Sequence, residues 1–175
     1  MYFRDFSFDN LTTDNQRRFI EALSKKLEYM DPPLIAFEEV KITDVSDKDG
    51  KYLKVIIPHK LKKEFNLWIA VYDKEVIVFF SEAHEHFELY GENDEWIIDA
   101  VYFVSHILSG KVEIHTFYKG NKVIKVRTYF IDNPREKELL SSCGHLTLML
   151  LNPFARAREE TERVSFFPNN VNEFL

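Results

Sequence analysis

The sequence predicts one α+β domain over residues 1–175, an antiparallel sheet of about six or seven strands with two main helices packed against it. Three observations predict this class. The chain is 175 residues long, enough for one domain with a sizeable core. Segments rich in Val, Ile, Phe and Trp recur between turn signals through its middle. Two other segments, near residue 20 and near residue 100, repeat apolar residues at helical spacing instead.

The first helix is expected from Thr13 to Met30. Thr13 with Gln16 three residues later fits a capping box, and Ile20, Leu23, Leu27 and Met30 share one face. Asp31-Pro32-Pro33 ends it, because proline lacks the N–H of the next turn and biases its predecessor away from helix. Phe37 to Val45 and Tyr52 to Pro58 then form a hairpin about Asp47-Lys48-Asp49-Gly50. Leu67 to Tyr72 and Glu75 to Ser81 form a second pair about Asp73-Lys74.

The second helix is expected over residues 94–109, capped by Asn93 or Asp94. Its apolar face is wide: Trp96, Ile97, Ala100, Val101, Val104, Ile107 and Leu108. Glu95, Asp99, Tyr102 and His106 make its polar stripe, and Gly110 suits the left-handed residue after its end. So wide a face needs cover on its second side, for which the aromatic N-terminal segment and residues 134–151 are the candidates.

A hairpin follows, in which Val112, Ile114, Thr116 and Tyr118 should match Ile124, Val126, Thr128 and Phe130. A slip of one residue turns a strand over, so the match needs an odd loop, placed at Gly120-Asn121-Lys122 with a bulge. The opposite face carries His115, Phe117, Lys125, Arg127 and Tyr129. Asn133-Pro134 and Asn152-Pro153 each resemble an N-cap with proline at the first helical position. They suggest short helices at 134–142 and 153–163, with a strand from His145 to Leu151 between them. Arg156/Glu160, Arg158/Glu162 and Glu159/Arg163 would then pair across turns of the last helix.

Composition narrows the function classes. Apolar residues make up 45% and aromatics 15% of the chain, with sixteen Phe, so the rings must find a core. A net charge of −6 argues against a general nucleic-acid binder, which needs a basic footprint. The single cysteine, Cys143, permits no internal disulfide. Arg4 and Asp5 stand where a signal peptide needs an apolar core, and the apolar run Leu146 to Leu151 is too short for a bilayer. A soluble cytoplasmic protein, without a membrane partner, is the expectation.

Catalytic signals are weak. The chain has five glycines, no Gly-rich phosphate loop and no nucleophile elbow. Cys143 and His145 lack a visible third group, and pairs such as Glu82 with Glu88 are common in an acidic chain. A non-enzyme without a cofactor is therefore expected.

Two constellations remain. His84 and His86 lie at strand spacing and point to one side if the strand from Glu75 persists that far, where two imidazoles can share a metal ion. A compact His-x-His site wants a Glu after three or four intervening residues, but Tyr90 and Gly91 occupy those places. Glu82, Glu88, His59, His115 or His145 would have to substitute. The structural alternative is that both histidines end an edge strand and bond backbone groups.

The second constellation is charge. Residues 81–100 hold seven acids and no Lys or Arg. Glu82, Glu85, Glu88, Glu92, Glu95 and Asp99 are candidate partner-binding residues, since an acidic patch steers a basic partner. The alternative is a solvated surface whose helix-start acids complement the dipole.

The order of strand, His84-Glu85-His86-Phe87, capped apolar helix, Gly110 and a hairpin with Lys119-Gly120-Asn121-Lys122 resembles small bacterial α+β proteins of the toxin-immunity type. The resemblance covers roughly residues 66–131 and transfers no functional residue. It implies a one-to-one inhibitor that covers a toxin's active site without cofactor or catalytic group. The acidic segment would suit a basic nuclease toxin. The functional expectation is thus a non-enzymatic protein-binding module with a basic partner, the alternative a metal-binding protein or metal-dependent enzyme centred on His84 and His86. A small-molecule binder lined by Phe and Tyr is a third reading, and it requires a deep apolar pocket.

Overall fold

Helix α1 (Asp14–Met30) starts where the capping box predicts. The Thr13 hydroxyl accepts from the Gln16 N–H at 3.3 Å, and the Gln16 side chain accepts from the Thr13 N–H at 2.9 Å. It ends at Asp31, whose φ of 45° is left-handed and whose N–H reaches the Leu27 carbonyl at 2.8 Å. Phe19, Ile20, Leu23 and Leu27 are fully buried along one face. The computed structural model describes residues 13–48, 50–61, 66–80, 83–89, 95–110, 112–133, 136–144, 156–163 and 166–167.

Five strands follow as an antiparallel meander: β1 (Lys41–Asp47), β2 (Gly50–Ile57), β3 (Leu67–Val71), β4 (Glu75–Phe80) and β5 (Ala83–Glu88). Both expected hairpins form, though β1 begins later than expected because Phe37–Glu39 is a short 3-10 helix. Leu53, Val55, Ile57, Leu67, Ile69, Val71, Val76 and Val78 point inward and are at most 1% exposed. Each contributes roughly 1.5–3 kcal/mol of gross burial. Moving any of these strands by one residue would turn its inward set to solvent, so burial fixes the register.

Helix α2 (Glu95–Leu108) buries every residue of the apolar face read from sequence, and Phe103 besides. Gly110 follows it with φ 73°. The expected caps Asn93 and Asp94 lie outside the described residues.

The single sheet of six or seven strands is the main correction. Among the described residues the chain forms two sheets, of five and four strands. The second sheet consists of β6 (Val112–Lys119), β7 (Lys122–Asn133), β8 (Glu136–Gly144) and β9 (Ala157–Arg163), in the order β8-β7-β6-β9. Val112, Ile114 and Val126 join the same core cluster as both helices and the first sheet. His106 of α2 lies 4.4 Å from the Phe130 ring of β7. Phe166, fully buried, donates its N–H to Leu108 and accepts from Leu34, which ties chain regions far apart in sequence.

Two expected helices are strands. Residues 136–144 pair with the long β7 instead of forming a helix over 134–142, and residues 157–163 pair with β6 instead of completing a helix over 153–163. The last segment, Ala-Arg-Glu-Glu-Thr-Glu-Arg, has good helix formers but no apolar face, so a helix would bury nothing. Pairing with the open edge of β6 satisfies its backbone instead. The cross-turn pairs Arg156/Glu160, Arg158/Glu162 and Glu159/Arg163 therefore do not form. The expected strand from His145 to Leu151 lies outside the described residues.

The β6–β7 hairpin keeps the expected faces by a different device. Val112 opposes Phe130, Ile114 opposes Thr128 and Thr116 opposes Val126, but Lys119 opposes Lys122 across a two-residue turn. The odd residue is Ile124, absorbed as a bulge beside Phe117 and Tyr118. Gly120, with φ 61°, takes the first turn position, where a primed turn requires positive φ. No helix among the described residues is long and apolar enough to cross a membrane.

Candidate functional site

The first sheet has an edge at β5, and alternation along that strand divides the expected site residues. His84, His86 and Glu88 project from the outer face, opposite Phe79, Ile77 and Glu75 of β4. Glu85 opposes the fully buried Val78 and points to the helix side. Glu95 and Asp99 are exposed on α2. Glu82 and Glu92 lie outside the described residues. The four described carboxylates thus fall on three surfaces, because a strand turns neighbours at odd spacing to opposite sides.

The outer face carries a column of stacked groups across four strands. Lys54 Nζ stands 4.8 Å above the Trp68 ring, Trp68 stacks on Phe79 at 3.6 Å and 2°, and Phe79 meets His84 at 5.6 Å. Each ring covers its neighbour's face. A planar ligand would meet ring edges there, so the column is a cross-strand structural ladder and not a stacking platform.

His84 and His86 are 5.1 Å apart, edge to face. His84 belongs to the aromatic column. His86 instead bonds Glu75 through Nδ1 at 2.5 Å. Glu75 faces Glu88 directly across the strands, and one donor atom from each of Glu75, His86 and Glu88 lies within 4.8 Å of the others. The sequence pair thus splits, and His86 converges with two carboxylates. Glu75 is not legible as a partner in the sequence, since only the β4–β5 register brings it there.

A second surface lies between the helices. Ala22, Lys25, Lys26 and Tyr29 of α1 and Ile98, Val101 and Tyr102 of α2 line an open groove of about 440 Å³. Tyr29, Ile98 and Tyr102 are 87%, 52% and 55% exposed, although all three are large and mainly apolar. Lys26 Nζ sits 5.0 Å from the Tyr102 ring. On α2, Glu95 and Ile98 are three residues apart and Asp99 and Tyr102 likewise, so the carboxylates sit one turn from the apolar groups. The groove is open and not the deep pocket that a small-molecule binder would require.

A third cluster occupies the outer face of the second sheet. His115 Nε2 contacts Glu113 at 2.6 Å and Nδ1 contacts Glu159 at 2.5 Å, while Arg163 Nε donates to Glu113 at 2.7 Å. Glu113 is only 3% exposed, so its bonds to the Arg163 guanidinium and the His115 imidazole offset its desolvation. Arg127 lies over Phe117 at 5.5 Å and donates to the Tyr129 hydroxyl at 3.4 Å. His115, Arg127 and Tyr129 on this hairpin face thus make contacts within the sheet. Sequence reasoning misses the cluster because it places Glu159 and Arg163 on a helix. No protein-family model, no curated protein and no solved structure matches the chain.

Proposed function

We propose that this protein is a non-enzymatic binding protein that docks a basic protein partner on the groove between α1 and α2. The observation that carries this reading is the convergence of Tyr29, Ile98 and Tyr102, exposed together on one groove. Scattered exposed apolar residues need no explanation, whereas a contiguous patch with a polar rim suits an interface. Tyrosine also supplies large contact area at low conformational cost and is frequent among residues that dominate binding. Glu95 and Asp99 beside the groove favour a basic segment, and the net charge of −6 steers it from a distance. Lys25 and Lys26 on the opposite wall would fix its orientation by attracting an acidic end. An amphipathic helix laid along the two helices meets these requirements. A toxin domain is the partner class that the immunity-type resemblance supplies.

The test is a calorimetric titration of the intact chain with the polypeptide encoded by the adjoining gene. Saturable one-to-one binding is expected, with Tyr102→Ala and the Glu95→Lys/Asp99→Lys double variant each weakening it at least ~30-fold. No binding, or binding that both variants leave unchanged while still folded, refutes the reading.

A further inference from the structure

We propose that Glu75, His86 and Glu88 form a Zn²⁺-class divalent cation site on the outer face of the β4–β5 edge, independent of the helix groove. The three donors come from two adjacent strands and share one face because Glu75 pairs with Glu88 and His86 follows at the two-residue repeat. Their ligand atoms already lie within 4.8 Å of one another. Metal bonds of about 2.0–2.2 Å require donors roughly 3–4 Å apart, so small rotamer changes suffice. Strand backbone holds all three side chains, which limits the ordering cost of assembling them.

The chemistry favours a cation over a simple ion pair. Two carboxylates placed directly opposite one another on neighbouring strands repel, and a divalent ion between them reverses that interaction. His86 engages Glu75 through Nδ1, and that bond can open to admit an ion. One imidazole with two carboxylates suits Zn²⁺ better than Ca²⁺ or Mg²⁺, whose sites are built from oxygen donors. Three protein ligands leave a position for water. His84 is outside the donor set, held against Phe79 in the aromatic column.

The experiment uses the intact chain without a histidine tag, stripped with chelator and titrated with ZnCl₂ in a non-coordinating buffer. One equivalent should bind. His86→Ala and the near-isosteric Glu88→Gln should each weaken binding at least ~10-fold, while His84→Ala stays within about twofold. Circular dichroism confirms that each variant is folded, and Glu88→Gln carries the test if His86→Ala is not. Absence of saturable binding at one equivalent overturns the proposal, as does wild-type affinity in folded His86→Ala or Glu88→Gln. A loss in His84→Ala equal to that in His86→Ala would place the ion on the histidine pair and overturn it equally.

Discussion

Each sheet carries, on its outer face, a histidine set among two glutamates, and the two settings differ in closure. In the second sheet, His115 engages Glu113 and Glu159 through its two ring nitrogens, and Arg163 takes a further oxygen of Glu113. In the first, His86 engages Glu75 through one nitrogen, and the Glu88 oxygen stands within 4.8 Å. The exposures follow suit: the His115 side chain is 16% exposed, the His86 side chain 46%. The same residue types thus make a closed structural joint in one place and an accessible donor set in the other. Fixed partners and depth decide the difference, not the motif.

The sharpest way to break this contrast is to remove the buried carboxylate of the closed cluster. Glu113→Ala removes the buried carboxylate that both His115 and Arg163 bond and leaves a void in its place. It should destabilise the protein by about 2–3 kcal/mol, measured by urea denaturation. A loss below ~0.5 kcal/mol would mean that the cluster is decorative. Arg163→Ala should cost less, about 1–2 kcal/mol, because Arg163 is 47% exposed and His115 still faces Glu113. Its effect should be local: amide exchange should accelerate in β9 before it does in β2 or β3.

Four strands of the first sheet and both helices are legible in the sequence, but β5 is not read as a separate strand folding back on β4, and the second sheet is only half legible. The difference has a physical basis. Residues 14–108 bury one side of most elements, so apolar periodicity reports their structure, and side-chain chemistry reports even the capping box of α1. In β9 only Glu162 is half-buried and the other residues are exposed, so no periodicity could distinguish strand from helix. Its conformation is set by an open edge of β6, a fact about the fold and not about the segment. The β6–β7 hairpin keeps its buried faces, but the expected three-residue loop is a two-residue turn, and the odd residue is Ile124 within the strand. Gly120 tests this account: Gly120→Ala retains the register but must hold φ near 61°, for a loss of about 1 kcal/mol.

The candidate sites follow the same rule. His86 is legible from spacing, whereas Glu75, eleven residues earlier, joins it only through strand register. Glu95 and Asp99 are legible as acids on a helix, but their groove is made jointly with α1, and the whole first sheet separates the two helices along the chain. Charge runs along a chain thus overstate how much surface is shared. Glu85 and Glu88 show the reason, since three positions along a strand turn one inward and the other outward.

The smallest effect has the most informative sign. In the metal-free protein, Glu88→Gln removes one of two carboxylates that face each other across β4 and β5 while keeping the side chain's shape. Stability should rise by up to ~0.5 kcal/mol, the scale of an exposed cross-strand charge pair. The comparable change in the closed cluster, Glu113→Gln, should lower it, because there the carboxylate is paired with the Arg163 guanidinium and bonded to the His115 ring. Opposite signs for the same substitution would separate a facing carboxylate pair that repels from a carboxylate bonded by Arg163 and His115. The increase should shrink at high salt, which screens exposed charges, and addition of Zn²⁺ should reverse it by stabilising only the wild-type donor set. A fall in metal-free stability for Glu88→Gln would show that the contacts of Glu88 outweigh its repulsion from Glu75 and remove the basis of the contrast.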